Sequence, residues 1–136
     1  MDSVSLSEIT FADADVALCE QLREEWGSWA SGHVHIEDGF SLVAFHGARP
    51  VGLLAMEWKA LPGPLPPHLE GHIDILHVLE GYRRIGIARK MVGVSLARAM
   101  GAGAVQVRAW SSDDKREAIS LWDSLGFALC PVTHAM

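Results

Sequence analysis

The chain has 136 residues, 49% of them hydrophobic, and a formal net charge of −6 with histidine neutral. This length fits one domain spanning 1–136 with a real core. The acidic balance argues against nucleic acid as the main partner and is compatible with a cationic substrate such as an amine. No run of about 18 apolar residues is present to span a membrane. The start, MDSVSLSEIT, lacks the basic end and apolar stretch of a secretory signal.

The two cysteines, Cys19 and Cys130, are far apart in the sequence. Such sparse cysteines indicate reduced thiols in a cytoplasmic protein. His33 and His35 would share a face only in a strand, and their segment is equally typical of a loop. We therefore expect no metal site.

The first part of the chain predicts a strand followed by a helix. Val4 and Leu6 alternate with serines, as in a strand, and Asp13 can cap the helix that follows. An apolar stripe at helical spacing is formed by Leu18, Leu22, Trp26 and Trp29. Glycines interrupt this pattern, so we expect the helix to end between Gly27 and Gly32, before a polar loop.

The middle of the chain predicts a hairpin and then a long loop. Two apolar segments, 40–45 and 50–58, flank a tight turn at 46–49 and indicate antiparallel strands. Segment 59–71, KALPGPLPPHLEG, holds four prolines and two glycines, which excludes a helix or an interior strand. We expect a loop that either serves a substrate or is a disordered connector.

Residues 72–78 predict a central strand, because apolar side chains cover both of its faces. Ile73 and Ile75 are expected on one face, and Leu76 and Val78 on the other. A turn at 80–82 leads into the next element.

A long helix is predicted from about Gly86, and Gly101 and Gly103 end it. Its buried face is expected to comprise Met91, Val92, Leu96, Ala99 and Met100. Segment 104–110 then predicts a fifth strand, with Val105 and Val107 against one layer.

The last elements are a helix and a short strand. Asp114 with Glu117 fits a helix start, and the helical stripe is formed by Ala118, Leu121, Trp122 and Leu125. Gly126 stops the helix, and 127–133 predicts a strand. The two strands of a hairpin pair antiparallel, and strands joined by a helical crossover pair parallel. The order of elements therefore predicts a mixed sheet.

The junction of the central strand and the long helix has the form Arg-x-x-Gly-x-Ala, from Arg83 to Ala88. The first N–H groups of a helix lack partners within it and suit a phosphate, and Gly86 allows a close approach. Spacing excludes a P-loop and a dinucleotide-binding turn. The alternative is an ordinary helix start with solvated arginines. The same segment contains a cluster of positively charged residues, Arg83, Arg84, Arg89 and Lys90.

This motif resembles the acyl-CoA pyrophosphate loop of the GNAT-type N-acetyltransferases, and the order of elements resembles that fold over essentially the whole chain. A second segment, from Ala118 to Phe127, is similar to the family's other signature. The resemblance implies an α/β protein with a central mixed β-sheet (α+β mixed) flanked by helices and a short C-terminal strand region. It also implies transfer of the acetyl group from acetyl-CoA to an amine.

The resemblance also implies the residues that bind the cofactor. Pantetheine would pair with main-chain groups around His77, Val78 and Leu79. The pyrophosphate would bind at Arg83, Arg84, Ile85, Gly86, Ile87 and Ala88. Two further cofactor positions depart from the family: Lys115 replaces an asparagine, and Trp122 replaces the tyrosine that protonates the leaving thiolate. A CoA thiolate still leaves tolerably, since thiol pKa values lie near ~8.5.

Acetyl transfer needs a group that takes a proton from the amine. The resemblance implies a base on the central strand, often a carboxylate, and counting back from the loop places His72 there. An ordinary pKa of ~6.5 suits a base, and Asp74 on the same face could orient His72 or raise its pKa. Glu70 and His77 are alternatives, although His77 faces oppositely unless the strand bulges. His72 could also simply begin the strand at the surface. A main-chain N–H near Val78 or Leu79 would stabilise the oxyanion.

Several alternatives remain open at the level of the sequence. Trp29, Trp58 and Trp110 could line the acceptor pocket or belong to the core. The chain could be an acyl-CoA-binding sensor without transfer, or a partner-binding domain with a degenerate site. Only one strand follows Phe127, so a homodimer partner could supply the missing sheet edge.

Overall fold

The computed structural model describes residues 4–61 and 68–109. Its elements are β1 (Ile9–Asp13), α1 (Val16–Trp26), α2 (Ser28–Ser31), β2 (Gly39–His46), β3 (Arg49–Leu61), β4 (His68–Val78), α3 (Ile87–Gly101) and β5 (Ala104–Ala109), with 3-10 turns at Leu6–Glu8 and Glu80–Tyr82. The helix and strand predicted after Trp110, with Lys115, Trp122 and Cys130, lie outside the described residues. None of the described helices is long and apolar enough to cross a membrane.

The described strands form one five-stranded sheet in the order β1-β2-β3-β4-β5. Strands β1 to β4 are successive antiparallel neighbours, whereas β5 lies parallel to β4. The parallel pair requires a crossover, which α3 supplies. The mixed sheet predicted from the order of elements is confirmed.

The first strand begins later than the alternation of Val4 and Leu6 predicts. Leu6 starts a 3-10 turn, and the strand begins at Ile9. The serine hydroxyls of the segment bond locally instead: Ser5 Oγ and Ser7 Oγ are 2.8 Å apart. Serine side chains compete for hydrogen bonds in this way and favour turns, so the expected strand at Val4 and Leu6 is wrong.

The cap of α1 is also displaced from its predicted position. Asp13 ends β1, and the cap is Asp15, whose Oδ1 accepts a hydrogen bond from the Leu18 N–H at 2.8 Å. The helix ends at Gly27, which has φ 103°, a conformation that glycine adopts readily. The short α2 follows and ends at Ser31.

The connection between β3 and β4 is shorter than predicted. Lys59 pairs opposite Glu70, and Ala60 opposite Leu69, so the loop expected over 59–71 is wrong at both ends. The prolines occupy only positions within 62–67, outside the described residues. The residues on either side retain their N–H groups and can pair in a sheet.

The core lies on both faces of the sheet. The α3 face is the side on which α3 packs, and its buried cluster comprises Ile9, Phe40, Leu42, Ala44, Val51, Leu54, Met56, Ile73, Val78, Ile87, Met91 and Val92. The α1/α2 face is the opposite side, and its smaller buried cluster comprises Leu22, Ala30, Val43 and Leu53. Two predicted core contacts are wrong, because Met100 is 76% exposed and Val105 is 60% exposed.

Strand β4 contains an extra residue, Asp74. Its neighbour Ile75 lies opposite Ala55, whereas Ile73 lies opposite Met56, the next residue of β3. Such a β-bulge reverses the alternation of the side chains beyond it. Ile73 therefore packs on the α3 face and Ile75 on the α1/α2 face, which corrects the expectation that they share a face.

Candidate active site

The corner between β4 and α3 has left-handed backbone at two residues. Arg84 has φ 69° and Gly86 has φ 99°, and the first of these is costly for a residue with a Cβ. Gly86 is the N-cap of α3, and Lys90 N–H donates to its carbonyl at 2.9 Å. No described side chain caps this helix, so the N–H groups of its first turn remain able to bind an anion.

The side chains of this corner divide into packed and exposed groups. Ile87 is buried, and Ile85 and Ala88 pack against the α3-face cluster. Arg83 and Arg84 are exposed. Packing therefore fixes the corner on the core and leaves its main chain and two arginines for a ligand, where the helix dipole adds to the positive charge.

Two main-chain groups at the end of β4 already have partners. Arg83 Nε donates to the carbonyl of Val78 at 2.9 Å, and the Leu79 N–H donates to the carbonyl of Val51 at 2.9 Å. Successive N–H groups of a strand point to alternate edges. Because Leu79 points to β3, the Val78 N–H points to the β5 edge. Of the two predicted oxyanion donors, the Leu79 N–H is engaged with β3, and the Val78 N–H is directed away from β3.

Tyr82 ties the corner to the hairpin of β2 and β3. Its hydroxyl is hydrogen-bonded to His46 Nδ1 at 2.9 Å, and the Arg49 guanidinium lies 5.6 Å from the centre of its ring. His46 Nε2 in turn lies 3.5 Å from Glu8. The motif itself contains only Arg83 to Ala88, so these supporting contacts were not predicted.

The second half of β4 extends beyond its parallel neighbour. The pairing with β5 ends where Ile73 lies opposite Ala109, the last described residue of β5. Strand β4 continues to Val78, paired with β3 on its other edge. Within the described residues, one edge of β4 beyond Ile73 is thus available, and it leads directly to the corner at Gly86.

Glu70 and His72 form a hydrogen-bonded pair on β4. Glu70 is only 2% exposed, and its Oε1 lies 2.9 Å from His72 Nε2. Gln106 also donates to this carboxylate, and Arg108 Nε lies 3.8 Å away. Burial raises the pKa of Glu70, but the hydrogen bonds from His72 and Gln106 and the charge of Arg108 outweigh it, so the pKa lies below its ordinary value.

This pair fixes the tautomer of His72. An ionised carboxylate only accepts hydrogen bonds, so His72 Nε2 must carry the proton that Glu70 accepts. The Nδ1 atom of a neutral His72 then holds a lone pair. The expectation that Asp74 orients His72 is wrong, because Glu70 does so.

Asp74 interacts with a different pair of histidines. His35 Nε2 lies 2.9 Å and His33 Nδ1 3.2 Å from its Oδ2. Burial raises the pKa of Asp74, but these two hydrogen bonds outweigh it and lower the pKa. His35, Asp38 and Glu57 also bring one ligand atom each within 4.8 Å of one another, a grouping that could hold a metal ion. The expectation of no metal site stays a prediction.

An aromatic cluster lies on the α1/α2 face beside His77. Trp26 and Trp29 are stacked with ring centres 6.0 Å apart, and the His77 ring makes T-shaped contacts with both, at ring-centre distances of 5.5 and 5.1 Å. The bulge at Asp74 places His77 on this side, the condition under which it would share a face with His72. Burial, together with the charge of Arg83, lowers the pKa of His77, so its imidazole is neutral at neutral pH.

The described tryptophans that were predicted as candidates for the acceptor pocket lie in different parts of the structure. Trp29 is 48% exposed beside His77. Trp58 instead packs on Phe40 at 5.5 Å in the α3-face core. Trp26 lines an open cavity of about 350 Å³ with Glu25, Arg49, Pro50 and Leu79. Trp110 lies outside the described residues.

Several residues of the site were not predicted as such. Gln106 and Arg108 hold Glu70 from β5, and the histidines of the His33-x-His35 pair were considered only as metal ligands. Each contact joins distant parts of the chain: 36 residues separate Glu70 from Gln106, and 41 separate His33 from Asp74. The H-x-H spacing was the only local signal.

The fold and this corner define an acyltransferase of the GNAT type, and comparison with known proteins agrees. The Acetyltransferase (GNAT) family matches residues 5–127. The chain therefore belongs to the GNAT acetyltransferase family. The resemblance expected from the sequence and the GNAT fold are both confirmed. A search of curated proteins returns no significant match.

Solved structures with the same fold are similar over nearly the whole chain. A transcriptional regulator from Bacillus halodurans C-125 has a TM-score of 0.76 at 17% identity, covering 94% of this chain and 98% of its own. Aminoglycoside acetyltransferase meta-AAC0020 from an uncultured soil metagenomic sample, in complex with sisomicin, gives 0.71 at 16% identity, covering 96% and 95%. Aminoglycoside N-acetyltransferase AAC(6')-Iy in complex with CoA gives 0.77 at 13%, covering 93% and 97%.

Proposed function

We propose that this protein transfers the acetyl group of acetyl-CoA to a primary amine of a small molecule or peptide, by direct attack in a ternary complex. The observation that carries the proposal is the corner at Gly86, where left-handed backbone exposes the uncapped first turn of α3 beside Arg83 and Arg84. Family membership supports acetyl transfer, and a neighbour of the same fold contains CoA.

The pyrophosphate of acetyl-CoA fits this corner. The N–H groups from Arg84 to Ala88 and the dipole of α3 favour an anion there. Arg83 holds the Val78 carbonyl through its Nε, so its other guanidinium nitrogens remain to donate to a phosphate. The pantetheine arm would then follow the available edge of β4, along His77, Val78 and Leu79.

The same edge gives the thioester a hydrogen-bond donor. Acetyl-CoA supplies an acetyl carbonyl activated by a thiol leaving group. The Val78 N–H, which points to the β5 edge, is the donor we assign to the charge that develops on the carbonyl oxygen. Leu79 cannot share this role while its N–H is bonded to Val51.

His72 is the group we assign to remove the proton from the amine, through water, because six residues of extended strand, about 20 Å, separate it from the Val78 N–H. Glu70 holds its Nε2–H, so Nδ1 is the atom that can accept a proton. Glu70 is then a positioning residue and compensates the positive charge that His72 gains. Asp74 was the second predicted catalytic residue, but its carboxylate is occupied by His33 and His35, and we assign it a supporting role.

The acceptor is proposed to approach from the α1/α2 face. His72, His77 and the exposed Trp29 all lie on this side of β4. Aminoglycoside acetyltransferases share the fold, and an amino sugar is one primary amine to test. The net charge of −6 is compatible with a cationic acceptor.

The alternative function is an acyl-CoA sensor that binds without transferring. Thiol release from acetyl-CoA should be measured across amines that include an aminoglycoside, a polyamine and a peptide N-terminus, alongside CoA binding by calorimetry. We expect binding and release with at least one amine. Binding with no release beyond the amine-free rate for any amine would favour the sensor, and the absence of CoA binding would contradict both functions.

A further inference from the structure

The bulge at Asp74 sits where β4 changes its surroundings. Before it, β4 pairs with β5 through Ile73. After it, the strand extends to Val78 with one edge available within the described residues. An extra residue in a strand disrupts the local ladder and bends the strand, so a side-chain contact at this point can help to fix the bend.

The contact comes from His35, in the segment between α2 and β2. Its ring is only 13% exposed, and its two nitrogens bind different carboxylates: Nε2 lies 2.9 Å from Asp74, and Nδ1 lies 3.0 Å from Asp38. Its main chain is fixed as well, because the N–H donates to Ser41 Oγ, which donates back to the His35 carbonyl, both at 2.9 Å. His35 thus joins its own loop, β2 and the bulge of β4.

We propose that His35 is a positioning residue that holds the β4 bulge through Asp74, and so sets the strand segment from Ile75 to Val78 that receives the arm of acetyl-CoA. The part of this inference that concerns acetyl-CoA rests on the proposed function. The contact of His35 with Asp74 and Asp38, called the clamp below, rests only on the hydrogen bonds and the strand register.

The charge of His35 is part of the clamp. Carboxylates accept hydrogen bonds, so His35 can donate to both Asp38 and Asp74 only when both of its nitrogens carry protons. Burial lowers the pKa of His35, but the hydrogen bonds and charges of Asp74 and Asp38 outweigh it, so the pKa lies above 6.5. Glu57 of β3 faces the same ring, and His33 shares the Asp74 carboxylate.

The same three side chains, His35, Asp38 and Glu57, could instead hold a metal ion. A metal on His35 Nδ1 would need that nitrogen deprotonated and would replace its hydrogen bond to Asp38. The clamp is therefore tested in EDTA.

The test compares His35→Gln with His33→Gln, because both histidines bond Asp74 but only His35 bonds a second carboxylate. Melting temperatures are measured in EDTA at neutral pH. We expect His35→Gln to lower the melting temperature by about 3 °C or more, because it removes hydrogen bonds to two carboxylates, and His33→Gln to lower it clearly less. An equal or larger loss in His33→Gln would overturn the clamp.

Coupling to Asp74 and to the cofactor is measured separately. Asp74→Asn and the double variant His35→Gln/Asp74→Asn complete a cycle, and the double variant should melt close to the single ones; additive losses would overturn the proposal. CoA affinity should weaken about threefold to tenfold in His35→Gln, because fewer molecules have the strand segment in place; unchanged affinity would overturn the positioning role. If wild type does not bind CoA, the proposed function fails while the melting experiments still decide the clamp.

Discussion

The two faces of the sheet differ in what stabilises them and in what they offer a ligand. On the α3 face, a continuous apolar cluster supports a corner whose main chain and arginines point outward. On the α1/α2 face, the apolar cluster is small, and histidines and carboxylates of β4 form the surface next to it. In the proposed function, the first face holds the anionic cofactor, and the second receives the amine and takes its proton.

Because of this difference, we expect separate substitutions to disrupt cofactor binding and turnover independently. The corner at Gly86 depends on backbone conformation, which a single side chain can disturb. The pair of Glu70 and His72 depends on hydrogen bonds between side chains, which substitutions remove without moving the backbone. The three changes below separate the two faces, beginning with the largest expected effect.

Gly86→Glu should abolish detectable CoA binding, with a loss of affinity of more than about 100-fold, or about 2.7 kcal/mol. The position has φ 99°, which strains any residue with a Cβ, and a carboxylate there repels the pyrophosphate. Calorimetric titration with CoA is the measurement. Gly93→Glu is the matched control on the same helix, because a Cβ at Gly93 meets no atom within 4 Å. Equal CoA affinity in both variants would contradict the assignment of the pyrophosphate to this corner.

The contrast between the faces also explains what the sequence could predict. The corner was located in advance because Arg83 to Ala88 is a local pattern, where spacing alone carries the information. The mixed pairing followed from one hairpin and one crossover helix. The bulge at Asp74 could not be predicted, because one additional residue leaves an apolar strand looking continuous while it moves Ile75 to the other face.

The hydrogen-bond partners of Glu70 and Asp74 on the α1/α2 face could not be predicted, for a related reason. Glu70 was placed in a loop because of the neighbouring prolines, although it pairs in β4 and is held by Gln106 of β5. His33 and His35 approach Asp74 only after the sheet has formed. Contacts between residues so distant in the chain depend on tertiary structure, which periodicity does not contain.

His72→Ala should lower turnover by about 100-fold or more, the usual contribution of a general base, while CoA affinity changes little. The loss should be greatest at lower pH, where removal of a proton from the amine is hardest. The measurement is the pH profile of kcat/KM. Glu24→Gln, an exposed change on α1, is the comparison, since Glu24 lies outside the site. A pH profile that His72→Ala leaves unaltered would exclude His72 as the base.

Glu70→Gln should affect stability and its pH dependence, and should change CoA binding least of the three. At neutral pH it should lower the free energy of unfolding by about 1.5–3 kcal/mol, the range for a hydrogen bond to a charged group. The pKa of Glu70 is lowered below 4.5, so its stabilisation is present above that pH and is lost as the pH falls through the folded pKa. Urea unfolding of wild type and Glu70→Gln should therefore converge in acid. Glu24→Gln, an exposed change on α1, should have no such effect. If the two curves stay parallel into acid, the Glu70 carboxylate is not ionised in the folded protein, and the assignment of the lone pair to His72 Nδ1 fails with it.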